Sequence, residues 1–492
     1  MKSKNKSLKV NTFLNAFRMT LTVISPLITF PYISRIFSTD GIGALNYAQS
    51  ISGVFVLVAS LGIYTYGVRE GAKVRNDYER FSQLATELLI INFVAMLFSY
   101  VFYAICVYGI ESLYPYHRLL IINGLSIFFT ALGLDWIFGV YEEYKYITIR
   151  QIVSQIATLV LMFCFVRSRD DIYVWALITV ACNALCNIWN WISGSKYFRL
   201  EFSRISKLGL LKHIKPILVL FATRIAATLY TSIDTVMLGS LVGDSAVGLY
   251  SAATKVNTIL ITFFSAMSPV FIPRIIDYLN NDIEKYYALT RKIFNAILIL
   301  AIPLVVGIEL LSNDIVLIIA GEDFRRATAT LRIIAPIVLI NACLEIIYYD
   351  IWVPLKKENL ILLCTIASIV TNIIISTLMI PTYAETGAAI GSLISEICTL
   401  LLAVLVTMRM NHEYRTVIPS VWKYLLSTLL MSIVVLIVHM HFSNMLLSTA
   451  LAITFGVIAY FSSVYLLKDR FFVEMLYSLK NKFVNKKGAR KI

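Results

Sequence analysis

The sequence predicts an all-α integral membrane protein of about fourteen transmembrane helices, arranged as two parallel six-helix lobes followed by two further helices. Three observations predict it. Hydrophobic residues fill 59% of the 492 positions and charged residues only 15%, where soluble domains usually carry about a quarter. The apolar residues come in long stretches, and a helix needs about 20 of them to cross the hydrocarbon. One polar pattern also occurs twice: Arg18-x3-Thr22-x2-Ser25-x3-Thr29 returns 206 residues later as Arg224-x3-Thr228-x2-Thr231-x3-Thr235.

Taken in order, the spans fall near residues 12–36, 44–67, 84–107, 118–140, 147–166, 172–193, 216–240, 246–273, 293–311, 331–353, 360–380, 386–408, 422–441 and 446–467. Their length and continuity require helices and not a barrel. The 43 Lys and Arg test the arrangement. With the N-terminus in the cytoplasm, 32 of them lie in inside segments and 5 in outside loops. The other six, Arg18, Arg35, Arg224, Lys255, Arg332 and Lys423, lie within or at the edges of spans. This asymmetry is the positive-inside pattern and predicts that both termini are cytoplasmic. It also accounts for the net charge of +14. The basic tail from Lys468 to Lys491 therefore reads as a contact for anionic membrane lipids, and no nucleic-acid partner is expected.

The start of the chain resembles a signal peptide in Lys2, Lys4, Lys6 and Lys9. The apolar run that follows is too long, holds an arginine and lacks a small-residue cleavage site, so the first helix is expected to stay. All seven cysteines fall in predicted spans. Cys182-x3-Cys186 has helical spacing but no His or carboxylate beside it, so packing is expected, with no metal and no cofactor.

At roughly 100° per residue, the four positions of each polar pattern lie within about 60° of arc, one stripe of a helix headed by arginine. Placing Arg at mid-bilayer costs at least ~2.5–3.5 kcal/mol, so two in equivalent places suggest a water-filled cavity that receives an anion. The repeat continues in Ile42-Gly43 and Val247-Gly248, displaced by 205. The expected organisation is a six-helix lobe over 1–193, a basic linker over 194–215, a second six-helix lobe over 216–408, helices 13 and 14 within 409–467, and a basic tail over 468–492. Six helices precede each restart, and an even number makes the halves parallel. Chance likeness of apolar helices is the alternative, and it leaves a matched intramembrane arginine unexplained.

The run Leu134-Asp135-Trp136-Ile137-Phe138-Gly139-Val140-Tyr141-Glu142-Glu143-Tyr144-Lys145-Tyr146-Ile147-Thr148-Ile149-Arg150 resembles a motif of bacterial polysaccharide repeat-unit flippases. These form the Wzx-type branch of the multidrug/oligosaccharidyl-lipid/polysaccharide exporter superfamily. Leu238–Gly243 running into Val247–Tyr250, and Gly321-Glu322-Asp323-Phe324 with Ala327, resemble the same branch. Many relatives carry Gln-Gly before the first glutamate, where this chain has Gly139-Val140. The resemblance implies a MATE-like fold in the bacterial cytoplasmic membrane. It implies movement of undecaprenyl-pyrophosphate-linked oligosaccharide from the inner to the outer leaflet by alternating access, for O-antigen or capsule. A polysaccharide polymerase as assembly partner is likewise implied by the family alone.

Each intramembrane charge has two readings. Arg18 and Arg224, with Thr22, Ser25, Thr228 and Thr231 beside them, are the candidate diphosphate pair; the other reading is snorkelling or pairing with an acid. Lys255 is a candidate to receive the diphosphate after the switch, or a partner of Asp234. Asp234, Glu345, Asp350 and Glu396 within spans, and Asp135 and Glu142 at the end of helix 4, either bind a coupling H+ or Na+ or balance the arginines. Glu396 is the first choice for coupling. Pro26 and Pro31 should bend helix 1, as a gate or as a static kink.

An enzyme is not expected. The longest outside loop, from Ser312 to Thr330, is under twenty residues, and no Walker loop or nucleophile elbow is present. A proton- or sodium-coupled drug exporter of the same fold would favour carboxylates and aromatics in its cavity, whereas the repeated feature here is Arg with Ser and Thr. A lipid II-type flippase is the nearer alternative.

Overall fold

A computed structural model describes residues 8–204, 207–265, 268–417 and 420–477; side chains are described from residue 24 onward, apart from 204–208, 223, 226–227, 230–231, 266–270, 412, 415 and 418–419. The described residues form helices and turns, and ten helical stretches are long and apolar enough to cross a membrane. In order the α-helices among the described residues begin with α1 Leu8–Ser60, α2 Ile63–Val74, α3 Tyr78–Gly109, α4 His117–Ala131, α5 Asp135–Val140, α6 Tyr144–Phe165, α7 Ile172–Gly194 and α8 Lys207–Leu241. Then follow α9 Asp244–Ser265, α10 Ser268–Asn281, α11 Ile283–Ile319, α12 Ala327–Ile334, α13 Pro336–Glu345, α14 Glu358–Met410, α15 Trp422–His441 and α16 Met445–Leu466.

Two helices are too long for one crossing. At 1.5 Å per residue a straight helix of the 53 residues of α1 would run about 80 Å, against ~30 Å of hydrocarbon. Ser38, at φ 59° and ψ −174°, breaks it. Pro26 and Pro31 lie inside the helix before that break. Each proline removes one backbone bond by lacking an N–H, and beside Pro31 the Arg35 side chain donates to the Pro31 carbonyl at 2.6 Å. In α14 the break is at Ala384, at φ 48° and ψ −125°. The expected fourteen spans count each broken helix twice and add α4 and α8, which stand outside the ten.

The expected linker over 194–215 runs from the end of α7 into the start of α8. Helix α8 begins at Lys207, so the basic residues from Lys207 to Lys215 are helical and Pro216 sits inside the helix. The stretch before it is tied to α3, where Ser82 Oγ accepts from the Arg199 amide and Thr86 Oγ1 from the Glu201 amide, both at 3.0 Å.

The chain divides into two compact units, Met1–Ser251 with Ile380–Glu385, and Ala252–Met379 with Thr386–Ile492. In the first unit α3 is inside-out relative to a soluble helix. Phe98, Val101, Phe102 and Ile105 face outward, while Asn92, Ser99 and Tyr103 are buried. Lipid supplies no hydrophobic drive between helices, so packing and polar contacts hold them together. Ser99 Oγ donates to the Phe55 carbonyl at 2.7 Å, and Tyr103 and Ser52 share a hydrogen bond of 2.8 Å. Trp136 of α5, 3% exposed, wedges onto α2 at Gly67, where an added Cβ would come within 2.7 Å of the indole. That contact fixes α5 and sets Asp135 in its first turn.

The segments that carry the Gly43 and Gly248 repeat touch within this unit. A Cβ on Gly43 would lie 1.8 Å from the Asp244 carbonyl oxygen, and one on Gly248 would lie 2.0 Å from that of Thr39. Thr39 and Asp244 are displaced by the same 205 residues as the two glycines. Each copy therefore admits the other's carbonyl through its missing side chain, the self-complementary geometry of a two-fold contact. Ser245 donates to Thr39 at 3.2 Å, and Tyr116 donates to Asp244 at 2.6 Å. Burial first, and then that bond to Asp244, hold the Tyr116 hydroxyl above its ordinary range.

In the second unit, Tyr286, Tyr424 and Tyr460 are fully buried around α11, α15 and α16. The helix after α13 widens into a π-helical turn at Ile346–Trp352, a form found often at functional sites. Trp352 closes it by donating to Thr407 at 3.0 Å.

Candidate functional site

Helices α6 and α7 each carry a polar stripe inside an apolar span. On α6 the stripe is Arg150, Ser154 and Thr158 at intervals of four, flanked by Gln151 and Gln155; on α7 it is Thr179, Asn183 and Asn187. Residues three and four apart share one helix face, so the two stripes can oppose each other. They line a cavity of 510 Å³. A second cavity of 290 Å³ adjoins it, reaching Ser60 of α1, Asn92 of α3, Thr130 of α4 and Arg224 of α8. Tyr64, Asp135, Asn183 and Asn187 belong to both walls.

The charge at their junction is balanced. Arg150 lies 2.7 Å from Asp135, with side chains 9% and 47% exposed. Asn190 bridges the pair: its amide donates to Asp135 at 2.7 Å, and its oxygen accepts from Arg150 and, at 3.2 Å, from Tyr146. Tyr146 in turn stacks on Phe138 with ring centroids 4.3 Å apart. Asp135 and Arg150 stand at the two ends of the Leu134–Arg150 motif, so the turn through Glu142, at φ 54°, folds that motif back on itself. Three buried polar atoms in these walls have no hydrogen-bond partner in the protein, namely Arg150 Nε, Gln155 Oε1 and Asn92 Oδ1. Leaving such an atom unsatisfied costs about 1–3 kcal/mol.

Of the residues expected from sequence, Arg224 is exposed and lines the smaller cavity together with Asp135. Ser25 and Thr228 are half-buried, while the side chains of Arg18, Thr22 and Thr231 lie outside the described residues. Glu142 is exposed and pairs with Arg75 at 3.0 Å. Asp234, buried, accepts from Tyr250 at 2.8 Å. Lys255 is half-buried on α9, in the second unit. There too Glu345 accepts from Ser265 at 2.6 Å, and Glu396 is 3% exposed. Asp350 sits in the π-helical turn, 0% exposed, with neither carboxylate oxygen hydrogen-bonded. Among the described residues no cluster of His, Cys, Asp and Glu could hold a metal ion.

Sequence reasoning missed Arg150 as an intramembrane cation and missed the amide stripe facing it. It also missed buried acids, among them Glu87 and Asp314. Glu87 accepts from His213 at 2.7 Å, and His213 bonds Tyr66 at 2.7 Å on its other nitrogen. Asp314 accepts from Thr449 at 2.7 Å.

Comparison with known proteins accounts for this architecture. The family model described as polysaccharide biosynthesis protein matches residues 8–279, and the MatE model matches residues 220–378. A protein of Escherichia coli (strain K12) described as an O-antigen transporter is 22% identical over 423 residues, covering 84% of this chain and 99% of its own. The capsular polysaccharide biosynthesis protein CapF of Staphylococcus aureus is 24% identical, with 77% and 94% covered. Among solved structures, the lipid II flippase MurJ in an inward closed conformation aligns at a TM-score of 0.74 with 16% identity, over 93% of this chain and 98% of that one. An inward-facing multidrug resistance MATE family transporter aligns at 0.61 with 13% identity, over 80% and 99%. Because the first family model covers more than half of its residues, the chain belongs to the polysaccharide biosynthesis protein family, in the polysaccharide-flippase branch of the multidrug/oligosaccharidyl-lipid/polysaccharide exporters, and is a multi-pass membrane transporter and not an enzyme.

Proposed function

We propose that the protein moves oligosaccharide repeat units linked to undecaprenyl pyrophosphate from the inner to the outer leaflet of the bacterial cytoplasmic membrane, for O-antigen or capsule assembly. The observation that carries this reading is Arg224, a cation on an apolar helix that borders a polar cavity next to Asp135, Asn183 and Asn187. A sugar diphosphate is too polar to cross hydrocarbon, while its isoprenoid tail never leaves it, so the protein has only to shelter the head. Arg224 and its repeat equivalent Arg18 supply charge-assisted bonds of about 1.5–3 kcal/mol each, enough for reversible holding of a diphosphate.

Alternating access between the two repeat lobes, with both termini in the cytoplasm, is the mechanism we assign. The reciprocal contact of Gly43 and Gly248 supports it, since a seam without side chains can part and re-form at little steric cost. Lys255 takes the diphosphate after the switch. Coupling to H+ or Na+ is assigned to the buried acids of the second unit, Asp350 and Glu396. A polysaccharide polymerase would consume the delivered units.

The test is accumulation of lipid-linked repeat units in cells whose sole copy carries Arg18→Ala with Arg224→Ala, at normal membrane expression, beside Arg18→Lys and the unchanged protein. Accumulation in the inner leaflet with loss of surface polymer is expected. Unchanged surface polymer would overturn the paired-cation mechanism and reopen the drug-exporter alternative.

A further inference from the structure

We propose that the cavity between α6 and α7 is a subsite for the uncharged, hydroxyl-rich glycan of the transported headgroup, distinct from the Arg224 side that meets its charged end. This deepens the flippase reading and rests on it.

Asp135 and Arg150 neutralise each other at 2.7 Å, so the cavity offers no net charge from that pair. Part of the remaining polarity is also spent within the protein: Asn187 donates to Asn183 at 2.9 Å, and Thr158 donates to the Ser154 carbonyl at 2.9 Å. The rest of the polar lining is uncharged: Gln151, Ser154, Gln155, Thr158, Thr179 and Asn183 carry amides and hydroxyls, which between them donate and accept.

Such a lining offers an anion or a cation no unbalanced counter-charge, and an apolar molecule would leave its amides and hydroxyls unpaired. Hydroxyl groups donate and accept at once, so a polyol matches it. The volume of 510 Å³ lies within the roughly 300–1,000 Å³ of ordinary small-molecule sites. Direction follows from the shared wall. Asp135, Asn183 and Asn187 join this cavity to the one that Arg224 borders, so a ligand with a polyol at one end and an anion at the other fits both.

Binding is read by saturation-transfer NMR on the purified full-length protein with two separate probes. One is the free repeat-unit oligosaccharide released from lipid by mild acid, and the other is inorganic pyrophosphate. Gln155→Leu is expected to weaken the oligosaccharide about tenfold and leave pyrophosphate within twofold. Arg224→Ala is expected to do the opposite, and Gln155→Glu, which keeps the acceptor, to retain oligosaccharide binding. Should Gln155→Leu fail to fold, Asn183→Leu on the facing helix carries the same expectation. Oligosaccharide binding unchanged in folded Gln155→Leu, or lost only in Arg224→Ala, would overturn the subsite while leaving the flippase reading intact. If repeat units fail to accumulate in cells lacking the protein, the flippase reading falls and the subsite with it.

Discussion

The α6–α7 wall and the Gly43–Gly248 seam lie in the same compact unit and are built by opposite means. Along α6 and α7 amide and hydroxyl side chains hold a cavity of 510 Å³. At the seam the side chains are absent, and Cα atoms approach carbonyls so closely that an added Cβ would lie 1.8 or 2.0 Å from oxygen. In lipid, where apolar burial gives little drive between helices, a few positions of size and polarity decide which interfaces close and which stay open.

The largest effect is expected from filling the seam. Gly43→Val or Gly248→Val forces two backbones apart, and should destabilise by about 3 kcal/mol, the top of the usual overpacking range, with surface polymer falling below about a tenth. Thermal unfolding in detergent, together with polymer quantification, reads both. Gly53→Ala is the control, since a Cβ there meets no atom within 4 Å, and it should change stability by no more than about 1 kcal/mol. Equal losses from both substitutions would erase the distinction between seam and ordinary helix.

An intermediate effect should come from the cavity junction. Asp135→Asn leaves a buried guanidinium short of its counter-charge, at a cost of about 2 kcal/mol, below the ~3–5 of a fully buried pair because Asp135 is half exposed. Adding Arg150→Gln should recover at least half of that loss in a double-mutant cycle, and strict additivity would show that the pair is uncoupled. The smallest effect belongs to a buried network whose side chains line neither of the two cavities described. Tyr66→Phe removes one hydrogen bond to His213 and should lower stability by about 1 kcal/mol while leaving repeat-unit export unchanged.

Composition and run length made the fold class legible, and Arg224 was legible because a charge in an apolar stretch stands out. Arg150 was not. It lies six residues into α6, close enough to the expected cytoplasmic end to be counted as a positive-inside residue, although a rise of 1.5 Å per residue carries it about 9 Å inward. Its partner Asp135 precedes it by fifteen positions, and only the left-handed turn at Glu142 brings them together. The amide pairs Gln151-x3-Gln155 and Asn183-x3-Asn187 are readable as stripes. What no single helix encodes is the gap between α6 and α7, which depends on how Trp136 seats α5 against Gly67. The interruption at Ser38 was legible as the gap between the spans expected at 12–36 and 44–67, whereas its single-residue form was not, because a serine at positive φ is rare.

That break leaves the first helical hairpin with no handle. Two spans joined through a single residue expose no ribbon of chain between them, so antibodies, proteases and inserted epitope tags find nothing there to grip without prising apart the glycine seam beside it. Molecules that recognise this protein through an exposed loop must read its longer turns instead.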